Sequence, residues 1–234
     1  MRLNDLQIRH FHDTGYLRVP GVLDPAACEE FIAFIKTETA RENPPHGKLY
    51  RLLERAPAPL AQRVLCNRVL LDALTSLLGP NVVCVTNRHN HAALGRPGQA
   101  EFRFHRDVLQ PTRGLLTAVL YLRDASLGNG CTHLIPGSHR LPTVGVPQPD
   151  GGGTWMDQHD TYQGFADQAL PVPVHGGDAL LFDALCFHSP GRNHSPRDRP
   201  TVTLGFRSAD ELDRRTDPAD QIFVIGTSLY RGNH

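Results

Sequence analysis

The chain has 234 residues, 40% of them hydrophobic, and its 24 Lys and Arg are balanced by 24 Asp and Glu for a formal net charge of zero. That length can bury one sizeable core, and the interspersed signs offer no basic face for nucleic acid or an anionic membrane surface. No apolar run reaches the roughly 18 residues of a membrane span, and Met1-Arg2-Leu3-Asn4-Asp5 opens into a polar amphipathic stretch, so no membrane partner and a cytoplasmic location are expected.

Asn4, with Gln7 three residues on and Leu3 facing Ile8, predicts a capped helix that stops at Gly15. Asp24 followed by Pro25 predicts a second helix that buries Phe31, Ile32, Phe34 and Ile35 and ends near Thr39. Residues 42–59, interrupted by Pro44, Pro45, Pro57 and Pro59, read as a loop or short turn whose Lys48, Tyr50 and Arg51 border an active-site mouth. From Leu60 to Leu78 the apolar spacing predicts one buttressing helix, stopped by Gly79-Pro80.

After Pro80 the periodicity changes to that of strands: Val82 to Ala93, a stretch around His105, Leu115 to Leu122, and Thr132 to Ile135. Short strands punctuated by Gly and Pro predict a β-sandwich or barrel. If Val82 to Ala93 is continuous, Thr86, Arg88, Asn90 and Ala92 share one face and Asn87, His89 and His91 the other. Thr117, inside an apolar strand, needs a buried partner. Leu141 to Pro173, with Gly151-Gly152-Gly153 and the sole tryptophan Trp155, reads as a lid carrying aromatic and hydrogen-bonding groups, Tyr162 among them. Asp210 to Asp220 looks solvated, and Gln221 to Ile225 adds a last strand. The whole is read as one domain over residues 1–234: a helical part to about 80, a β core from about 81, and the lid at about 141–173.

Cys28, Cys66, Cys84, Cys131 and Cys186 are scattered, odd in number and free of any Cys-x-x-Cys pair, which excludes a disulfide framework or zinc site and predicts buried thiols. Cys186 lies two residues before His188 and shares its face in a regular strand.

The chemistry concentrates in Phe102-Arg103-Phe104-His105-Arg106-Asp107. Residues two apart in a strand share a face, so His105 and Asp107 converge on one point and supply two-thirds of a 2-His-1-carboxylate facial triad for non-haem Fe(II). His188, at the end of the apolar run from Gly177, is the third ligand. Arg199 opens the strand-like Arg199 to Phe206, and its fork of donors suits the far carboxylate of a dicarboxylate cosubstrate. Arg192 and Arg197 are local alternatives. The array reads as iron plus 2-oxoglutarate.

Further stretches follow in order. Ile8 to Asp24 runs through a Gly-Tyr into Pro-Gly-Val; Asn129-Gly130-Cys131 precedes Pro136-Gly137-Ser138-His139-Arg140; and His188, Gly191, Asn193, Ser195 and Arg199 keep a fixed spacing. On these motifs, from about residue 8 to 207, the sequence resembles the phytanoyl-CoA dioxygenase-like family of Fe(II)/2-oxoglutarate-dependent oxygenases, most thinly over Glu38 to Pro59 and Leu141 to Pro173. The resemblance implies a mainly β fold with flanking helices around a double-stranded β-helix (jelly-roll, cupin-like) core.

For the site, the resemblance implies Fe(II) held by His105, Asp107 and His188, with 2-oxoglutarate on Arg199 assisted by Thr201 or Thr117. Asn90 would touch cosubstrate or substrate. It also implies O2 consumption, oxidative decarboxylation to succinate and CO2, and hydroxylation or oxidative ring closure of a small-molecule natural product. The compact chain and polar-aromatic lid resemble oxygenases of orthosomycin-type oligosaccharide antibiotics, which points to a carbohydrate-containing substrate. Retention of Asp107 disfavours halogenation, and no extra basic cluster serves a coenzyme-A thioester. Two other classes remain open: an oxygen-independent, metal-dependent jelly-roll isomerase, and a non-catalytic ligand-binding jelly-roll protein. Nothing in the sequence signals an oligomeric state.

Overall fold

The computed structural model describes residues 2–44, 47–98, 103–108, 114–142, 155–158, 160–211 and 217–228. Helix α1 (Asp5–Thr14) begins in a reciprocal cap: the Asn4 side chain accepts from the Gln7 N–H (2.9 Å) and the Gln7 side chain accepts from the Asn4 N–H (3.0 Å). Gly15 ends it at φ 82°, a left-handed turn that glycine takes without steric cost. Strand β1 (Tyr16–Val19) leads to α2 (Pro25–Glu42), capped by Asp24 and running nearly a turn past Thr39 to a left-handed Asn43.

Residues 42–59 are more ordered than a loop. They hold strand β2 (Lys48–Tyr50), helix α3 (Leu52–Arg55) and the start of α4 (Ala58–Leu65), with Pro57 at the N-cap and Pro59 in the first turn, where a missing N–H costs no helical bond. The single helix expected from Leu60 to Leu78 is two, α4 and α5 (Arg68–Leu78). Asn67 divides them, accepting the Leu70 N–H (3.0 Å) and donating to the Val22 carbonyl.

Val82 to Ala93 likewise divides, into β3 (Val82–Val85) and β4 (His91–Ala93), because a turn intervenes in which His89 sits at φ 52°. Strands β5 (Leu116–Tyr121), β6 (Thr132–Leu134), β7 (Leu170–Val172), β8 (Ala179–Asp183), β9 (His188–Pro190), β10 (Thr201–Ser208) and β11 (Gln221–Ile225) follow. The large sheet has the order β1-β8-β5-β10-β3-β11, with β4 joining β10 to β2, and the small sheet has the order β7-β6-β9. Every strand pairing is antiparallel. The result is a mainly β jelly roll of the double-stranded β-helix kind, with helices laid on the large sheet.

The period of two decides what lies between the sheets. Leu116, Ala118 and Leu120 of β5, Ala179 and Leu181 of β8, and Val202, Leu204 and Phe206 of β10 pack with Phe31, Ile35, Leu70 and Leu74 on the helix side. The alternate set faces inward. Tyr121, Leu180 and Phe182 meet Leu134 and Val172 of the small sheet, while Thr117, Val119, Thr201 and Thr203 line an internal chamber of about 460 Å³.

Phe102 to Asp107 is not a regular strand. Phe102 lies outside the described residues, and His105 makes only isolated bridges to His188 and Trp155. All five cysteines are free; Cys66 is exposed and the other four are buried. No described helix is long and apolar enough to cross a membrane.

Candidate metal centre

His105 and His188 exchange both backbone hydrogen bonds at 3.0 Å, which brings their ring centroids to 4.4 Å. The Nδ1 of His105 lies 3.0 Å from the Arg103 carbonyl and that of His188 lies 3.1 Å from the Cys186 carbonyl. A carbonyl can only accept, so each Nδ1 carries the proton and each Nε2 presents a lone pair, the arrangement in which imidazole binds a metal.

The Asp107 N–H donates to the Ala184 carbonyl at 2.8 Å, which fixes the third side chain's origin. Its Oδ1 stands 3.7 Å from His105 Nε2 and 3.6 Å from His188 Nε2, while its Oδ2 accepts from Thr117 Oγ1 at 2.8 Å. One ligand atom from each of His105, Asp107 and His188 lies within 4.8 Å of the others.

Burial and the neighbouring His188 push the His105 pKa down to about 4, so the imidazole is neutral at physiological pH. Burial alone would raise Asp107, but His89, His188, His105 and the Thr117 hydroxyl together hold it well below the usual carboxylate range. Two imidazoles presenting Nε2 and one ionised carboxylate on one side of a chamber make a donor set suited to Fe(II) with open positions.

At the other end of the chamber lies Arg199, only 8% exposed. Its Nε donates to the Asn129 carbonyl at 3.0 Å, and its terminal NH2 groups take no partner among the described residues. The preceding loop is built by Asn193, whose Nδ2 bonds the Gly95 and Arg197 carbonyls and whose Oδ1 accepts from Ser195. Gly130 and Gly191 are in backbone contact nearby, and a Cβ on Gly130 would collide with the Gly191 carbonyl. Arg192 and Arg197 are exposed and do not line the chamber.

Thr201 and Thr117 also line the chamber, but the Thr117 hydroxyl is engaged with Asp107. Asn90 is turned away from it. Its Oδ1 accepts from the Leu53 N–H and its Nδ2 donates to Glu54, so it anchors α3 instead of meeting a cosubstrate. The expected alternation holds across the turn, with Val82, Cys84 and Ala92 in the helix-side core, and it is the opposite face, His89 and His91, that lines the chamber. Lys48 and Tyr50 join them from the stretch expected at the mouth.

In the described part of the lid, Trp155 lies against His105 at 5.2 Å with the Arg103 guanidinium over its ring. Met156 and Tyr162 are buried, Tyr162 against Phe187, so this part of the lid is packed wall; Gly151, Gly152 and Gly153 lie outside the described residues. The Cys186 thiol donates to the Gly15 carbonyl, and burial followed by Asp183 pushes its pKa up to about 12; it is a core residue.

The sequence pattern of the phytanoyl-CoA dioxygenase family matches residues 11–201. A protein of Aspergillus fumigatus named dioxygenase af480 is 24% identical over 230 residues, 91% of this chain and 69% of its own. The methylphosphonate hydroxylase of Gimesia maris is 24% identical over 232 residues, 92% of this chain and 85% of its own. The crystal structure of the epimerase SnoN in complex with Fe3+, alpha ketoglutarate and nogalamycin RO superposes with a TM-score of 0.74 at 21% identity, covering 92% of this chain and 87% of that one.

Proposed function

The chain belongs to the phytanoyl-CoA dioxygenase family, and we propose that His105 and His188, through Nε2, and Asp107, through Oδ1, hold the catalytic iron of a 2-oxoglutarate-dependent oxygenase. The protein is an enzyme, a non-haem Fe(II)- and 2-oxoglutarate-dependent dioxygenase that uses O2 and acts on a small molecule. The observation that carries the residue assignment is the convergence of those three side chains in the chamber whose far end holds Arg199.

When bound, the metal supplies the redox chemistry that couples O2 reduction to decarboxylation of 2-oxoglutarate, yielding succinate and CO2. The protein's own part is positioning. The carbonyl-bonded Nδ1–H groups keep both imidazoles in the ligating tautomer. Thr117 fixes the outer oxygen of Asp107. Arg199 offers its terminal NH2 groups, which take no partner among the described residues, to the distal carboxylate of the cosubstrate, with the Thr201 hydroxyl beside it. Phe182, packed on the His188 ring at 4.5 Å, and Trp155, on the His105 ring, supply apolar walls that limit water at the ligands. Among the described residues Lys48 is the other Lys or Arg lining the chamber, so a dianion there meets basic side chains from two directions.

We read the chain as one cytosolic domain over residues 1–234. Its substrate is a natural product that it hydroxylates or closes oxidatively into a ring, with a carbohydrate-containing compound as the first class to screen. Asp107 fills the position that a halide would need, which argues against halogenation.

Anaerobic titration of the apo-protein with Fe(II) and then 2-oxoglutarate tests the assignment. The visible metal-to-ligand charge-transfer band of chelated 2-oxoglutarate is expected in wild type and absent in Asp107→Ala and His188→Ala. Iron binding without the band would leave an oxygen-independent metalloenzyme as the better account, and no metal binding would leave a ligand-binding protein.

A further inference from the structure

We propose that His89 is a positioning residue for the metal site: it donates a hydrogen bond from Nε2 to the outer oxygen of Asp107 and keeps that carboxylate bound through one oxygen only. The inference rests on the assignment of Asp107 as a ligand.

The two oxygens of Asp107 have different surroundings. Oδ1 faces both ligand imidazoles, whereas Oδ2 accepts from Thr117 and faces His89 Nε2 at 3.4 Å. His89 Nε2 is buried and forms no hydrogen bond among the described residues, a state that buried polar atoms avoid unless a partner is supplied. The separation is slightly longer than a formed N–H···O bond, within reach of a small rotation of either side chain.

The backbone around His89 is committed to this placement. His89 stands at φ 52°, in the left-handed region that few residues besides glycine enter, Asn, Asp and His most readily, and such conformations persist where surrounding structure holds them. The anchors are present on both sides. Asn87 Nδ2 bonds Asp220, the Arg88 guanidinium bonds the Asp107 carbonyl, and Asn90 bonds Leu53 and Glu54 through its side chain and Leu52 through its carbonyl. Beneath the turn lies Gly205 of β10, where an added Cβ would press on the Arg88 carbonyl at 3.2 Å and approach His89 Cβ at 3.7 Å. A glycine at that position makes room for the turn to cross the sheet.

A carboxylate that can rotate can also chelate with both oxygens. On a facial-triad metal the second oxygen would occupy one of the positions that the cosubstrate and O2 need. Two donors on Oδ2, Thr117 from β5 and His89 from the turn between β3 and β4, hold the carboxylate against that rotation. His89 therefore protects open coordination positions without binding the metal itself.

The test compares His89→Asn with His89→Gln. Asparagine is at home in the left-handed region but too short to reach Oδ2, and glutamine restores an amide N–H near the position of Nε2. Co(II) is titrated into each apo-protein and followed by its visible spectrum; Fe(II) with 2-oxoglutarate is then followed anaerobically by the charge-transfer band. His89→Asn is expected to weaken 2-oxoglutarate by about 10-fold or more and to shift the Co(II) spectrum toward a higher coordination number, with His89→Gln recovering most of both. Wild-type Co(II) spectra and 2-oxoglutarate affinity in His89→Asn would overturn the proposal, as would equal loss in both variants. Should His89→Asn not fold, failure of folded His89→Gln to keep the wild-type spectrum would overturn it too. Failure of the wild-type protein itself to bind Co(II) at Asp107 would instead remove the metal-site assignment.

Discussion

At the scale of single residues, the site is prepared by proton placement. Both proposed ligand histidines donate Nδ1–H to a backbone carbonyl, and Asp107 stays ionised although buried, because imidazoles and the Thr117 hydroxyl surround it. Replacing Thr117 by Val keeps the volume and removes the donor. Anaerobic Fe(II) titration is expected to show affinity about 10-fold to 100-fold lower, the usual cost of losing an outer partner of a ligand. The His105 pKa gives a second expectation in the metal-free protein. It is about 4 in the folded state against an ordinary 6.5, so between those values the unfolded chain holds a proton that the folded chain refuses. Stability must then fall as pH drops through that window, by up to about 1.4 kcal/mol per pH unit from this group. Urea unfolding of apo wild type and His105→Gln from pH 7 to 4.5 measures it: the variant's profile should be flatter, and parallel profiles would show that His105 is not buried as a neutral ring.

At the scale of elements, segment 103–108, which carries the proposed ligands His105 and Asp107, has no ladder to hold it, and Arg106 supplies the restraint. Its guanidinium donates to the Ser138, Leu141 and Pro142 carbonyls and lies over the Phe187 and Tyr162 rings, tying the segment between the two ligands to the root of the lid. Arg106→Met should lower stability by about 2–4 kcal/mol, since three carbonyls, the buried one of Ser138 among them, lose a charged donor, and should weaken iron as well. Thermal melts of the apo-protein and Fe(II) titration measure the two effects; unchanged metal affinity would mean that the segment is held by other contacts. Elements of this kind divide what the sequence could reveal from what it could not. Caps are local, so Asn4, Asp24 and Gly15 announce their helices correctly. His188 closes an apolar run of sequence and Arg199 precedes an apolar strand, so hydrophobic pattern and spacing bring them forward. The Asn67 break is hidden because α4 and α5 both present apolar faces and the period runs through the cap. Alternation separates Asn90 and Ala92 from His89 and His91 correctly but does not say which set faces inward; that is decided by Val82, Cys84 and Ala92 joining the helix-side core, and nothing in Asn87-Arg88-His89-Asn90 marks the left-handed turn that passes over Gly205, over a hundred residues away. Lys48 and Tyr50 reach the chamber only through the pairing of β2 with β4, a contact that no local pattern encodes.

At the scale of the whole molecule, the site is a joint between sheets. His188 begins β9 of the small sheet, Asp107 is held by Thr117 of β5 in the large sheet, and Arg199 leads into β10. A ligand that touches all three binds the folded arrangement and not the unfolded chain, so it must stabilise the whole by RT ln(1 + [L]/Kd), about 2.7 kcal/mol at a hundredfold excess over Kd. The contributions are separable. Fe(II) alone engages the joint between His188 and the Asp107 segment, whereas 2-oxoglutarate adds the Arg199 end. Under anaerobic conditions wild type should therefore show two successive rises in unfolding midpoint, one with Fe(II) and one with 2-oxoglutarate. Arg199→Ala should keep the first and lose most of the second at the same cosubstrate concentration. The guanidinium is buried and bonded to the Asn129 carbonyl, so its removal also has a direct cost, and each variant has to be referred to its own apo midpoint. A second rise that survives in Arg199→Ala would move the carboxylate anchor elsewhere, with Lys48, the other Lys or Arg lining the chamber among the described residues, as the next residue to replace.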